Sequence, residues 1–193
     1  MKKWLNPFEY FSEQLLLFTG VIFALLTVLV SFLSDILLFG SLKIVHGYPQ
    51  SIIGALLNVA ITLSVNIVVY FAYAKVRYRK SRLIDVSNVV LMSHIPMYVA
   101  LYLATLPIVK ESLSELESLM KHNSLDVVAL PTKELLVLLI FGGLSLLLIV
   151  GFFYWLIIGM KIAINSKQKW DGLLVVIIGL VVNTLLQIIN PFV

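Results

Sequence analysis

Five long apolar stretches constrain the fold of this sequence more than any other feature. A bilayer core of roughly 30 Å needs about 20 apolar residues in a helix that rises 1.5 Å per residue. The five stretches are of about that length and cover residues 15–39, 51–74, 86–109, 135–160 and 172–189. The sequence therefore predicts an all-α membrane protein with five transmembrane helices, built as a single domain over residues 1–193.

The overall composition agrees with a membrane protein and excludes several other classes. Hydrophobic residues make up 61% of the chain, charged residues only 12%, and the mean hydropathy is +1.04. The segments between the stretches are too short to form a soluble catalytic domain. The chain has no cysteine and three widely separated histidines, so it offers no disulfide and no zinc motif. No phosphate-binding loop or nucleophile elbow occurs, and we expect neither an enzyme nor a cofactor.

The distribution of basic residues predicts the orientation of the chain. Ten lysines and arginines fall on the side of the amino terminus and four on the opposite side. Cytoplasmic loops carry the excess of basic residues, so we expect a cytoplasmic amino terminus and an external carboxyl terminus. The first apolar stretch is longer than the core of a signal peptide, and no cleavage is expected.

One cytoplasmic linker carries half of these ten residues. The linker between the second and third spans contains Lys75, Arg77, Arg79, Lys80 and Arg82. Basic residues close to a membrane surface are attracted to anionic lipid, by about 1 kcal/mol each. We therefore expect this linker to contact lipid headgroups, and we expect no binding of nucleic acid.

The residues before the first span predict a short amphipathic helix. Asn6 can cap it, Pro7 suits its first position, and Trp4, Phe8 and Phe11 share one face. A helix of this kind lies in the membrane interface. It either anchors the first span or provides a docking site for a partner.

Polar residues within the apolar stretches are the candidates for function, because such groups are costly in a membrane. They form one stripe on span two, another on span five and an irregular group around a proline in span three. The candidate cluster consists of Asn58, Thr62, Asn66, Asn88, His94, Pro96, Asn183 and Gln187. The stripes either hold helices together through amide hydrogen bonds or line a cavity for an ion, a headgroup or a small solute. Pro96 is expected to kink span three near His94.

Three short motifs resemble the bacterial branch of the Yip-domain family. They are Asn6-Pro7-Phe8, the Ile84-Asp85-Val86 entry to span three, and Ser93-His94-Ile95-Pro96 within the segment from Arg82 to Tyr98. The resemblance covers the whole chain in topology and two short stretches in sequence. It implies a non-enzymatic, five-span protein of the bacterial cytoplasmic (inner) membrane, and some similar bacterial proteins are accessory subunits of ABC-type exporters.

Eukaryotic members of that family bind Rab-type GTPases through features that this chain lacks. The sequence shows neither their long hydrophilic amino-terminal arm nor their Asp-Leu-Tyr-Gly-Pro motif. We therefore do not expect this chain to bind a GTPase. We therefore expect an accessory or scaffold partner of other membrane proteins, such as an export or trafficking system, acting with a partner or as a homo-oligomer. The alternatives are a small-solute or ion transporter or channel with a polar cavity, and a lipid-binding or membrane-remodelling protein.

Overall fold

The computed structural model describes residues 6–121 and 132–189, and most of them are helical. The helices are α1 (Pro7–Tyr10), α2 (Glu13–Ser34), α3 (Ile52–Arg77), α4 (Leu83–Ala104), α5 (Pro107–Lys121), α6 (Thr132–Ala163) and α7 (Lys169–Ile189), and two short strands are β1 (Ile36–Phe39) and β2 (Lys43–His46). The predicted all-α class is confirmed. Five helices, α2, α3, α4, α6 and α7, are long and apolar enough to cross a membrane, which supports a multi-pass membrane protein.

Helix α4 forms the centre of the bundle, between α2 and α6. A side chain at Gly20 of α2 would place its Cβ 2.6 Å from the Cβ of Leu91, and one at Gly159 of α6 would come within 2.7 Å of Val89. Small residues at these crossings let the helices approach closely, as is usual in membrane bundles. The α4 side chains are consequently buried along most of the helix.

Helix α6 has two halves with different surroundings. Its second half packs on α4 through Phe152, Leu156 and Met160, which are buried. Its first half is largely exposed, and the exposed large apolar side chains are Leu136, Leu139, Ile140, Leu144, Leu146, Leu147 and Val150. Much of α6 thus faces the surroundings of the bundle rather than its core.

The first span is shorter than the sequence predicted. Helix α2 ends at Ser34, not at residue 39, and Asp35 stops it in a left-handed conformation with φ of 53°. The next four residues form β1, which is antiparallel to β2 with Ile36 opposite His46 and Phe39 opposite Lys43. An apolar run that continues a helix cannot be told from a short buried strand by periodicity alone. Every residue of β1 is at most 5% exposed.

The turn of this hairpin, residues 40–42, lies inside the helix bundle. It contacts Asn66, which is roughly 20 Å along α3 from its start, and His94 near the middle of α4. Gly40 is required at the turn, because its φ is +66° and an added Cβ would lie 2.8 Å from Asn183 Oδ1. The hairpin therefore enters the bundle and leaves it at the same end.

The predicted amphipathic helix at the amino terminus is only partly present. Helix α1 has four residues, and Asn6 makes no capping hydrogen bond with its side chain. Ser12 is extended and caps α2 instead, by accepting from Leu15 N at 3.4 Å. This second cap interrupts the helix after a single turn. Phe8 and Phe11 pack against the bundle, and Trp4 lies outside the described residues.

The two ends of the bundle differ in charge. At the end that we call the basic end, Arg82 contacts Glu13, Arg77 contacts Asp171, and Ser81 Oγ donates to the carbonyl of Ala163 at 3.1 Å. These contacts gather the starts of α2, α4 and α7 with the ends of α3 and α6. The base of the hairpin and α5 lie at the opposite end, which we call the hairpin end.

Candidate functional site

Side-chain amides satisfy the outer edge of strand β1. Asn58 Nδ2 donates to the carbonyl of Leu38 at 2.8 Å, and Gln50 Nε2 donates to that of Ile36 at 3.2 Å. A strand edge buried among apolar helices would otherwise carry unpaired carbonyl groups, each of which costs free energy. Part of the predicted stripe on α3 thus binds backbone rather than another helix.

The stripe on α7 binds the turn of the same hairpin. Asn183 Oδ1 accepts from the backbone N–H groups of Ser41 at 2.9 Å and Leu42 at 3.1 Å. Gln187 is half-buried beside Gly40. The two predicted stripes therefore meet through the hairpin that separates them.

His94 belongs to a chain of hydrogen bonds that ends on the same turn. Its Nδ1 lies 2.7 Å from the carbonyl of Val90, so Nδ1 carries the proton and donates. Nε2 then accepts from Ser41 Oγ at 3.1 Å, and Ser41 Oγ accepts from Asn66 Nδ2 at 3.2 Å. These partners fix one neutral tautomer of His94, and the edge of the Phe152 ring packs against it at 5.2 Å between ring centroids.

Little open space remains at this junction. The cavity between the hairpin turn and His94 has a volume of about 10 Å³, which is room for one water molecule at most. It is lined by Leu38, Gly40, Val59, Thr62, His94 and Tyr98. We call the hairpin with Asn58, Thr62, Asn66, His94 and Asn183 the hairpin junction.

Two members of the predicted cluster lie away from the hairpin junction. Pro96 sits in a continuous α4, and its Cγ would lie 3.7 Å from a Cβ on Gly151 of α6, so this glycine makes room for the ring. Asn88 lies near the basic end, where its Nδ2 donates to the carbonyl of Glu13 at 3.1 Å. The polar residues of span three thus serve different parts of the molecule.

A buried carboxylate at the basic end was not predicted from the sequence. The side chain of Asp171 is 1% exposed and lies 2.6 Å from Arg77 Nη2. Tyr73 Oη donates to it at 3.1 Å, and Ser166 Oγ makes a further hydrogen bond. The available signal was its position, since Asp171 directly precedes the fifth apolar stretch.

A pocket of about 260 Å³ opens beside this carboxylate network at the start of α4. On its polar side, Arg82 binds Asp85 through Nη2 at 2.6 Å and Nε at 3.0 Å and also contacts Glu13. The hydrogen bonds to Asp85 and Glu13 raise the pKa of Arg82, which keeps its charge. Asn88 lines the same pocket, and the apolar walls include Phe8, Phe11, Leu16, Val89 and Ile162.

The basic linker is not uniformly available to lipid. Arg77 and Arg82 are paired with carboxylates of the chain itself. Lys75 Nζ donates to the carbonyl of Arg79 at 3.0 Å and lies 5.2 Å from the Phe71 ring centroid. For Arg79 and Lys80 the described residues provide no ion pair, and both side chains are exposed.

Two basic groups in and beside the hairpin have different surroundings. Lys110 Nζ donates to the carbonyl of Ser34 at 2.9 Å and so satisfies the end of α2. Lys43 is exposed, and its Nζ lies 5.5 Å from the centroid of the Phe39 ring. Burial lowers the pKa of His46, the Glu117 carboxylate opposes this shift, and Lys110 adds to it.

Within residues 6–121 and 132–189, no group of three histidine, cysteine or acidic side chains could hold a metal ion. No family model, no curated protein and no solved structure matches this chain.

Proposed function

We propose that this chain is a non-enzymatic accessory subunit that binds another membrane protein through Lys43 and the outer edge of β2. The proposal rests mainly on Lys43. Its register opposite Phe39 puts it one residue beyond the turn, deep within the length of the spanning helices. Its side chain is nevertheless exposed on the outside of the bundle. A charged group facing lipid at such a depth costs several kcal/mol unless it is paired.

The backbone of β2 supports the same conclusion. The amides of Asn58 and Gln50 bind the outer carbonyls of β1, but the described residues provide no hydrogen bond to the outer edge of β2. An open strand edge is not tolerated against hydrocarbon. A partner segment that packs on or pairs with β2 would cover this edge and Lys43 together.

The charge of Lys43 indicates the chemistry of the partner. A carboxylate within a transmembrane segment would pair with the ammonium group and remove the cost of burying either charge alone. None of the ten acidic residues of this chain falls in the middle of a spanning helix. A second copy would therefore offer no carboxylate at that depth, which favours a different membrane protein over a homo-oligomer.

The hairpin junction favours this accessory role over a transport path. Asn58, Asn66, His94 and Asn183, which would line such a path, are hydrogen-bonded to the hairpin or through it. The cavity beside His94 at the hairpin turn has a volume of only about 10 Å³. A solute would have to break several buried hydrogen bonds to pass.

We further propose that the protein lies in a bacterial inner membrane with its basic end in the cytoplasm, as the positive-inside count indicates. Membership of the Yip-domain family remains a prediction from the sequence motifs. Because the chain has no cysteine, single cysteines can test the orientation. A membrane-impermeant maleimide should label Ser114→Cys in intact cells and Lys167→Cys only after permeabilisation. The opposite pattern would invert the topology.

Site-specific crosslinking tests the accessory role. A photoreactive phenylalanine analogue at Val45, on the same strand as Lys43, should crosslink one membrane protein that carries an acidic residue within a span. Lys43→Leu should reduce that product about tenfold, the equivalent of about 1.4 kcal/mol, and Lys43→Arg should retain most of it. The matched control is the same analogue at Leu139, an exposed residue of α6.

Three results would overturn the accessory role. They are adducts with lipid alone, a product that does not depend on Lys43, and a product that contains only a second copy of this chain.

A further inference from the structure

We propose that the pocket at the start of α4 binds the ammonium headgroup of an aminophospholipid from the surrounding membrane. The inference uses only the membrane placement of the chain and goes beyond its proposed accessory role. It rests on three independent properties of the pocket, which are its charge, an unpaired hydrogen-bond acceptor and its apolar walls.

The charged groups of the pocket leave an excess of one negative charge. Glu13 and Asp85 each carry a carboxylate, and Arg82 is the one cation that contacts them among the described residues. Both carboxylates lie in the first turn of a helix. The pocket therefore complements a cation, although the linker that borders it is rich in basic residues.

Asn88 provides a hydrogen-bond acceptor that receives no donor from the described residues. The residue is 3% exposed and lines the pocket. Its Nδ2 is used by the carbonyl of Glu13, but its Oδ1 has no hydrogen-bond partner among the described residues. A buried acceptor that stays unpaired costs free energy, and a donor that enters the pocket recovers it. An ammonium group carries such donors together with the positive charge that the carboxylates require.

The remaining walls and the location of the pocket identify the source of that ammonium group. Phe8, Phe11, Leu16 and Val89 give the pocket an apolar side, and it lies at one end of the spanning helices. A molecule with an ammonium head and apolar chains matches both sides. At about 260 Å³ the pocket suits a headgroup rather than a whole drug-sized ligand.

Three lipids with identical acyl chains separate this proposal from its alternatives. Phosphatidylethanolamine has a charged N–H donor, phosphatidylcholine has the same charge without a donor, and phosphatidylglycerol is anionic. The purified full chain, stripped of lipid in detergent, should bind phosphatidylethanolamine at least about tenfold more tightly than phosphatidylcholine in native mass spectrometry. Equal binding of these two lipids would overturn the proposal. Tightest binding of phosphatidylglycerol would also overturn it, in favour of the basic linker as an anionic-lipid site.

Substitutions locate the site. Asn88→Leu removes the acceptor at similar volume and should abolish the preference for ethanolamine over choline. Asp85→Asn removes the excess negative charge and should weaken the binding of both lipids. Arg79→Gln changes the same linker outside the pocket and should alter neither property. A preference that survives in folded Asn88→Leu, or lipid binding that is unchanged in folded Asp85→Asn, with folding judged by thermal unfolding, would contradict the assignment. The lipid comparison in the unsubstituted chain remains decisive if a variant does not fold.

The test is independent of the accessory role. Lys43 lies beside the hairpin turn and does not line the pocket, so Lys43→Leu should leave the lipid preference unchanged, whether or not it disrupts a partner complex. Loss of the crosslinked partner with an intact preference would concern Lys43 alone, whereas loss of the preference with an intact crosslink would concern the pocket alone.

Discussion

The hairpin junction and the basic end both bury polar groups, but they do so in different ways. At the hairpin junction the groups are neutral, and each amide or imidazole described above binds backbone or the Ser41 hydroxyl. At the basic end several groups are charged, including the buried Asp171 carboxylate, and the neutral Asn88 Oδ1 has no hydrogen-bond partner among the described residues. The first region leaves about 10 Å³ of space, whereas the pocket in the second measures about 260 Å³.

This difference separates polar residues that hold the fold from those that are free to bind a ligand. A polar network whose members are all satisfied rigidifies its surroundings and offers nothing to a further molecule. A network with a spare acceptor and an uncompensated charge is incomplete until something else binds. In this chain Asn58, Asn66, His94 and Asn183 of the predicted cluster belong to the first kind. A carboxamide and a carboxylate near a helix start, Asn88 and Asp85, belong to the second.

The largest effect is expected where the hairpin turn meets α7. Gly40→Ala forces an L-residue to a φ of +66° and brings a Cβ to 2.8 Å from Asn183 Oδ1, so it should destabilise the protein by about 3 kcal/mol. Gly47→Ala is the matched control, because its φ is also +66° but nothing lies within 4 Å of the added Cβ. It should cost only about 1 kcal/mol. Reversible unfolding in mixed micelles measures both. Equal losses would show that the turn does not pack against Asn183.

A smaller and salt-dependent effect is expected at the basic end. Arg77→Met keeps the aliphatic part of the side chain but leaves Asp171 without its cation. Arg77 is 37% exposed, so the loss should be about 2 kcal/mol rather than the larger cost of a fully buried pair. Arg79→Met in the same linker should cost less than about 0.5 kcal/mol. The same unfolding assay checks both.

The salt dependence of these destabilising effects should also differ between the two regions. Raising the ionic strength should reduce the difference in the free energy of unfolding between Arg77→Met and the unsubstituted protein, because salt screens a partly exposed ion pair. It should leave the Gly40→Ala effect unchanged, since the Asn183 side chain that the added Cβ would meet carries no charge. A Gly40→Ala effect that fell with salt would mean that the two regions do not differ as described.

The sequence was sufficient to predict the five spanning helices because apolar length has few other interpretations. Helices α3 and α4 begin within three residues of the predicted starts. The stripes on spans two and five could also be found, since amides four residues apart share a helix face. Their partner could not be found, because Ser41 and Asn183 are 142 residues apart and nothing local connects them.

The hairpin could not be predicted from the sequence because of its amino-acid composition. Residues 36–39 are apolar on both faces, so they read as the continuation of the first helix. Asp35, Gly40 and Gly47 are the residues that depart from a helix, and each has positive φ. The pocket was equally hard to predict. It forms where Glu13 of α2 and Asp85 of α4 both contact Arg82, and the sequence does not show that these two helices meet there.

The hairpin also has a consequence for the order of biosynthesis. A ribosome delivers residues 36–46 long before α7, yet the backbone N–H groups of the turn are satisfied by Asn183 near the end of the chain. During translation those groups must stay bound to water or to the insertion machinery until the last span arrives. Docking of α7 therefore completes the hairpin junction, and a nascent chain that stops before α7 would expose an unfinished loop to quality-control proteases.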